Sequence, residues 1–192
     1  MTRMRYAQVT AAIAAVVLVA WGASRILERM VSPVPQQPTA PAAGSAVASV
    51  PHIIATLYYA SADGQALAAV TREIPLADGI LAQGRQIIQS QLEEAPEPYL
   101  SVVPAGTTLR AFYVTARGDA FVDLSPEIST KHPGGSTTEL LTVYAIVNAV
   151  TTNLSSVQRV QILIGGREAD TLAGHVDLRR PFERNTTLVR TP

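Results

Sequence analysis

Hydrophobic and polar residues follow different patterns in successive parts of the chain, and the first pattern predicts a membrane span. From Tyr6 to Ser24 the sequence carries no charge, and Arg5 and Arg25 bracket this run. A helix needs roughly 20 apolar residues to cross a bilayer. Residues 6–24 are therefore predicted to form a transmembrane helix. A cleaved signal peptide is the alternative, although no convincing A-x-A cleavage signal follows the run.

The charges around this run indicate its orientation. Arginines flank it on both sides, but the free amino terminus adds positive charge before it and Glu28 offsets positive charge after it. Positively charged flanks stay on the cytoplasmic side of a membrane. We expect residues 1–5 to lie in the cytoplasm and the remainder of the chain to lie outside.

The next segment, residues 25–51, has the composition of a linker. Its larger part is the sequence SPVPQQPTAPAAGSAVASVP, in which proline recurs among Ala, Ser, Gln and Thr. Such a composition favours extended polyproline geometry, at about 3.1 Å per residue, and cannot bury a core. It predicts a spacer between the membrane and a folded domain.

Beyond residue 52, short apolar runs alternate with turn signals, as in a globular domain. The patterns predict strands at 52–60, 66–75 and 157–166, a hairpin around Arg117-Gly118-Asp119, and helices at 78–94 and 137–152. Strands and helices do not alternate regularly, which favours an α+β fold with a small mixed sheet and two main helices. We expect this domain to span residues 52–180 and the arginine-rich residues 181–192 to form a C-terminal tail.

Composition excludes several functional classes. The chain has 15 basic and 15 acidic residues and no cysteine. A balanced charge argues against nucleic acid as a partner, and the lack of cysteine excludes disulfides, thiolate catalysis and cysteine-ligated metals. The histidines are scattered, and Gly165-Gly166 lacks the spacing of a phosphate-binding loop. No metal or cofactor is predicted.

The sequence HPGGSTTELLTVYAIVNAV, residues 132–150, contains the strongest candidate for a reactive serine. We interpret Ser136 and Glu139 as a capping box at the start of a helix, with Gly134 and Gly135 providing the sharp entry. In a capping box the serine oxygen accepts from a backbone amide and the glutamate reaches back to the serine amide. Such a cap typically contributes ~1 kcal/mol.

A catalytic interpretation of the same serine stays open. Ser136 could act as a nucleophile with His132 or His175 as base and Asp123 orienting the histidine. The G-x-S-x-G elbow of α/β-hydrolases is absent, however. Asp123 could also serve as a metal ligand or general base, although an Asp before Ser-Pro more often caps a turn.

Several segments, in this order and spacing, resemble the GerMN domain, which is named for a spore-germination protein. They are ATLYYASADGQALAAVTREIP, SVVPAGTTLRAFYV, AFVDLS, HPGGSTTELLTVYAIVNAV and VQRVQILIGGREADTLAGHVDL. The resemblance covers roughly residues 52–180. It implies a compact α+β domain exported to the bacterial envelope and linked to sporulation, germination or cell-wall processes, with no established catalytic residues. Unlike lipoprotein members, this chain has no cysteine to acylate.

Together these patterns predict a membrane-anchored, non-enzymatic interaction or scaffold domain outside the bacterial cytoplasmic membrane. The expected partners are envelope proteins or a cell-wall polymer, with self-association possible. The alternatives are an envelope hydrolase using Ser136, and a small-ligand-binding domain, for which a deep apolar pocket would be the sign.

Overall fold

A computed structural model of the chain describes residues 51–190, which contain three helices and seven strands. In chain order they are β1 His52–Ala60, β2 Leu67–Pro75, α1 Gly79–Gln91, β3 Leu109–Val114, β4 Asp119–Leu124, α2 Glu127–Thr130, α3 Ser136–Asn153, β5 Arg159–Ile164, β6 Phe182–Glu183 and β7 Val189–Arg190. The predicted transmembrane helix 6–24 and the spacer up to residue 50 lie outside the described residues. Within 51–190, no helix has the length and apolarity that a membrane crossing requires.

The predicted α+β class is confirmed, but the strands form two sheets instead of one. One sheet has the order β1-β2-β7 and the other the order β3-β4-β5-β6. The β1–β2 hairpin is separate because its second strand pairs with the C-terminal β7 and not with β3. In the second sheet β4 and β5 are parallel, and α3 lies in the connection between them. A parallel pair requires such a crossover.

Helix α3 is the centre of the hydrophobic core. Val143, Val147 and Val150 lie along one side of the helix and are fully buried, but Ile146 and Ala149 on other sides of the helix are fully buried as well. The reason is that α3 contacts both sheets, through β1 and β5, and α1 in addition. A helix covered on several sides is apolar nearly all round and so lacks a narrow stripe.

Helix α1 packs against β3 through a glycine. Asp78 occupies the N-cap position, although its side chain makes no capping hydrogen bond. Gly84 faces the buried ring of Phe112 so closely that a Cβ atom added to the glycine would overlap the ring. The glycine therefore sets how near the helix lies to the sheet.

The C-terminal segment is part of the domain, whereas the sequence predicts a tail from residue 181. Val160 of β5 pairs with Phe182 of β6, and Leu67 of β2 pairs with Val189 of β7. The tail prediction rested on the arginine-rich composition, which carries no information about these long-range backbone pairs. The described domain thus extends to residue 190.

Candidate functional site

The start of α3 is built differently from the predicted capping box. Gly135 occupies the N-cap position and Ser136 is the first helical residue, and no side chain caps the helix. The positive φ angles of Gly134 and Gly135, 78° and 94°, give the expected sharp entry. The carbonyl of Gly135 accepts the first helical hydrogen bond, from the Glu139 amide, at 2.9 Å. The capping box is therefore wrong, because the Glu139 side chain turns into the core.

Inside the core, Glu139 binds the loop of residues 171–177. Its side chain is fully buried. Oε2 accepts hydrogen bonds from the backbone N–H groups of Ala173, His175 and Val176 at 3.1, 3.1 and 3.0 Å. Oε1 accepts from the His175 ring Nδ1 at 2.8 Å. One carboxylate thus fixes four donors of a loop that lacks regular secondary structure.

These hydrogen bonds decide the charge of the buried carboxylate. Burial alone raises the pKa of Glu139, but the donors from Val176, the His175 ring, Ala173 and the His175 amide outweigh burial and lower the pKa to about 2. A carboxylate that accepts several N–H donors is favoured in its charged form. Glu139 is therefore ionised at neutral pH and acts as a fixed anion.

His132 is held as a neutral ring in a defined tautomer. Its Nδ1 accepts from the Gly134 amide at 3.0 Å, so the proton lies on Nε2, which contacts Thr142 Oγ1 at 2.9 Å. The Thr142 hydroxyl in turn donates to the Val102 carbonyl at 2.7 Å. Burial lowers the pKa of His132, against the opposing effect of the nearby Glu139 charge. Both ring nitrogens are thus occupied.

The structure does not assemble the alternative serine hydrolase from the described residues. Ser136 is exposed, and its hydroxyl has no hydrogen-bond partner between residues 51 and 190. His132 bonds to Thr142, and His175 bonds to Glu139. Neither histidine contacts Asp123, which lies elsewhere in the fold. The nucleophile, base and orienting acid are therefore not brought together.

Asp123 caps a turn, as the sequence favours, but this turn is the one that follows the neighbouring strand, β5. The residue is 6% exposed. Its Oδ1 accepts from the Gly166 amide at 2.7 Å, and its Oδ2 accepts from Arg110 Nε at 3.2 Å. Gly166 has a φ of 81°, which few other residues adopt without strain. In the described part of the chain, no three acidic or histidine side chains cluster as metal ligands.

The outer edge of β1 is covered by side chains in a way that the sequence reading missed. The Thr56 amide donates to Asn153 Oδ1 at 2.9 Å, and Asn153 Nδ2 donates to the Thr56 carbonyl at 2.7 Å. Gln91 does the same for Tyr58, at 2.9 and 2.7 Å. At Ala60 the backbone of Leu100 makes both hydrogen bonds, each 2.9 Å long. The available signal was an amide residue at the last position of both long helices.

These hydrogen bonds cover the β1 edge from Thr56 to Ala60 but do not reach the first residues of the strand. Backbone groups alternate in direction along a strand, so the N–H and C=O of Ile54 point outward like those of Thr56 and Tyr58. No described residue bonds to them. The Ile54 side chain is 72% exposed, the highest value among the large hydrophobic residues that lie exposed on the described surface. With respect to residues 51–190, the edge around Ile54 is therefore both apolar and unpaired.

A polar groove lies near the C-terminal end of α3. Its volume is about 550 Å³, and its lining residues are Thr151, Thr152, Ser155, Val157, Gln158, Glu183 and Arg184. The small-ligand alternative rested on a deep apolar pocket. This groove is open and mostly polar, so it does not have the form that the alternative required.

Comparison with known proteins identifies the family. The family model of Germane, described as sporulation and spore germination, matches residues 56–170, which is more than half of the chain. The chain belongs to the Germane family. The resemblance to the GerMN domain is thereby confirmed. No curated protein is significantly similar to the chain.

Solved structures share the fold of this Germane domain. A candidate lipoprotein from Clostridium perfringens is 24% identical, with a TM-score of 0.51, over 72% of this chain and 91% of that one. The first GerMN domain of the sporulation protein GerM from Bacillus subtilis is 20% identical, with a TM-score of 0.53, over 70% of this chain and 98% of that one. The tandem GerMN domains of the same protein match at 20% identity and a TM-score of 0.52, over 70% of this chain and 46% of that one. At these identities the likeness concerns the fold alone.

Proposed function

We propose that this Germane domain is a non-enzymatic interaction module, held on the outer side of the bacterial cytoplasmic membrane by residues 6–24. It acts through its surface on another envelope protein, in an assembly of the sporulation, germination or cell-wall type. In this proposal residues 6–24 serve as the anchor, residues 25–51 serve as the linker, and the folded domain makes the contact.

The open edge at Ile54 is the observation that carries the proposal. Unpaired edge backbone next to exposed apolar surface is a template for binding an extended segment of another chain. The rest of the β1 edge is protected by Asn153, Gln91 and Leu100. Because the outward-facing backbone groups of residues 56–60 are already bonded, another chain could pair with this strand only around Ile54.

The polar residues that could have served catalysis support the same conclusion by their contacts. Glu139 and His175 hold the 171–177 loop, and His132 is occupied by Thr142 and Gly134. Asp123 holds the turn at Gly166. Each of these groups has a structural task in the described domain.

The extracytoplasmic location has separate support. The similar Clostridium perfringens protein is described as a candidate lipoprotein, and lipoproteins are anchored outside the cytoplasm by an acylated cysteine. The present sequence contains no cysteine, so the proposal assigns the anchoring to a membrane-spanning segment. The uncharged run of residues 6–24 provides one.

The absence of cysteine allows a clean test of location. One cysteine replaces Arg117, an exposed residue at the turn between β3 and β4, in the full-length chain. A membrane-impermeant maleimide should label this cysteine in intact cells. A second chain with cysteine at Thr2 should be labelled only after lysis. Labelling of Arg117→Cys only after lysis would reject the outer location.

A photo-crosslinking experiment tests the contact itself. A photoreactive phenylalanine analogue replaces Ile54 in the full-length chain, and the same analogue at Arg117 is the matched surface control. We expect a crosslink to a defined envelope protein from position 54 and not from position 117. Crosslinks to wall polymer or to a second copy would identify a different partner, and equal background at both positions would reject the Ile54 surface.

A further inference from the structure

The groove at the end of α3 has features of a binding site for a small charged ligand. Ser155, Gln158, Glu183 and Arg184 line it, and none of their side chains has a hydrogen-bond or ion-pair partner among the described residues. Four polar side chains that converge on one groove without protein partners are free to bind a solute.

One side of the groove is expected to carry negative potential. It includes the last turn of α3, an 18-residue helix with no basic residue in that turn. The last helical hydrogen bond runs from the Leu154 amide to the Val150 carbonyl. In the described chain, no backbone N–H group bonds to the carbonyls of the next two residues, Thr151 and Thr152. The C-terminal end of a helix attracts a cation, since its free carbonyls hold partial negative charge.

The neighbouring acidic residue strengthens this potential. Glu183 lies opposite Arg159 in the β5–β6 pair, where the two would be expected to form an ion pair. Arg159 Nε instead bonds to Asp119 Oδ1 at 2.7 Å. The Glu183 carboxylate is therefore left without a cation in the described part of the chain.

The backbone that carries Arg184 is also held in a fixed place. Arg184 follows Glu183 and precedes Asn185, whose backbone N–H and C=O both bond to the Asn148 side chain on α3, at 3.0 and 2.8 Å. Before it, the Phe182 ring packs edge-on against Tyr144 of α3, with centroids 5.7 Å apart. The backbone around Arg184 is thus pinned to α3 on both sides.

We propose that this groove binds a small zwitterion, namely an amino acid or the end of a short peptide. The ammonium group lies at the α3 carbonyls and Glu183, and the carboxylate lies on the Arg184 guanidinium. Ser155 and Gln158 hydrogen-bond the polar atoms between the two charges. The function is additional to the contact at Ile54 and does not depend on it.

Ligand-observed NMR with the full-length chain in detergent micelles tests the proposal. The probes are alanyl-alanine, its N-acetyl form, its C-terminal amide, and N-acetylglucosamine. Alanyl-alanine should bind, and the loss of either terminal charge should weaken binding by about tenfold, the factor that corresponds to one charge-assisted hydrogen bond. Free lysine as an additional probe separates amino acids from peptides.

Two variants assign the charges to their partners. In Glu183→Gln, N-acetylation of the peptide should cause a smaller further loss than in the unchanged chain, since only the α3 carbonyls then hold the ammonium group. In Arg184→Gln, C-terminal amidation should cause no further loss. Arg180→Gln, at an exposed arginine outside the groove, is the control and should bind like the unchanged chain.

Three outcomes would overturn the proposal. They are no binding of any charged probe, equal binding by all variants, and preferential binding of N-acetylglucosamine, which would make the groove a neutral saccharide site. Glu183 and Arg184 are exposed and without side-chain partners in the described domain, so both variants are expected to fold. Thermal unfolding of each variant checks this before binding is measured.

Discussion

The Oε1 atom of Glu139 lies 2.8 Å from Nδ1 of His175, and this contact joins the fully buried side of α3 to a half-exposed imidazole 36 residues later in the chain. The pair resembles the acid–histidine half of a catalytic triad. Its other hydrogen bonds show a different role, since the remaining carboxylate oxygen binds three backbone amides of the same loop. The buried charge is a structural anchor for the loop.

Replacing the anchor by its neutral isostere should release the loop. In Glu139→Gln the side chain presents an NH₂ group to donors that need an acceptor, so at least one hydrogen bond is lost and one donor is left unpaired. Hydrogen bonds to charged groups contribute about 1.5–3 kcal/mol, and we expect a decrease of that size in the free energy of unfolding. Urea denaturation measures it.

The matched control for this prediction is Glu94→Gln. Glu94 is exposed and its side chain makes no hydrogen bond or ion pair within residues 51–190, so its substitution should change stability by less than about 0.5 kcal/mol. A similar loss in both variants would mean that a general charge effect, and not the loop contact, stabilises the fold.

The lowered pKa of Glu139 predicts instability in acid. The folded-state value is about 2 and the ordinary value is 4.5, so the unfolded chain takes up a proton first as pH falls. The stabilisation is fully present above the ordinary value and should be lost as pH falls from about 4.5 towards about 2. Unfolding curves at several pH values should show this loss in the unchanged chain, and Glu139→Gln should show a shallower dependence.

The hydroxyl of Ser136 should contribute little to stability. As a capping residue it would contribute ~1 kcal/mol. In the structure it is exposed and unbonded within the described residues, so Ser136→Ala should change the unfolding free energy by less than about 0.5 kcal/mol. Thr142→Ala is the comparison, because it removes a buried hydroxyl that bonds to Val102 and His132, and it should cost about 1–3 kcal/mol. A loss of 1 kcal/mol or more in Ser136→Ala would restore the capping interpretation.

The bounds of the long helices and strands are predictable from the sequence, because the local periodicity of apolar residues indicates them. The predicted helix at 137–152 is Ser136–Asn153, and the predicted strand at 52–60 is found with those bounds. The role of Glu139 was not predictable in the same way, because S-T-T-E is a valid local capping signal. Its actual partners, Ala173, His175 and Val176, come from a distant loop, and no local pattern reports them.

The two sheets could not be predicted from the sequence for the same reason. Strand periodicity gives the direction of side chains but not the identity of the neighbouring strand. The short strands β6 and β7 have only two residues each, which is too few for a periodic signal. The segment between them is held on α3 by hydrogen bonds between Asn148 and Asn185, a tertiary contact that no local pattern reports.

The contact between Gly84 and Phe112 should be intolerant of one added methyl group. Compared with glycine, alanine at position 84 stabilises the helix by up to about 1 kcal/mol. Overpacking against the fully buried ring of Phe112 should cost about 1–3 kcal/mol. We expect Gly84→Ala to lower the unfolding free energy despite the better helix propensity. Arg85→Ala, at the exposed neighbouring position, should have little effect. Increased stability of Gly84→Ala would show that α1 can move away from β3 at little cost.

The side-chain cover of β1 should protect the domain from association through its edge. Gln91 is 2% exposed and bonds both the N–H and the C=O of Tyr58. Gln91→Ala leaves both groups without a partner, which should cost about 1–3 kcal/mol and extend the open edge from Ile54 along the strand. We therefore expect this variant to form larger species as protein concentration rises, as measured by sedimentation of the full-length chain in detergent.

Gln89→Ala removes an equal side chain from the same helix at an exposed position, and it should sediment like the unchanged chain. Asn153→Ala removes the neighbouring cover at Thr56 and should act in the same direction as Gln91→Ala. If association occurs through the β1 edge, adding Ile54→Lys to either variant should reverse it, since a charged side chain on an edge strand opposes pairing. Association that persists in the presence of the lysine would place the contact on another surface of the domain.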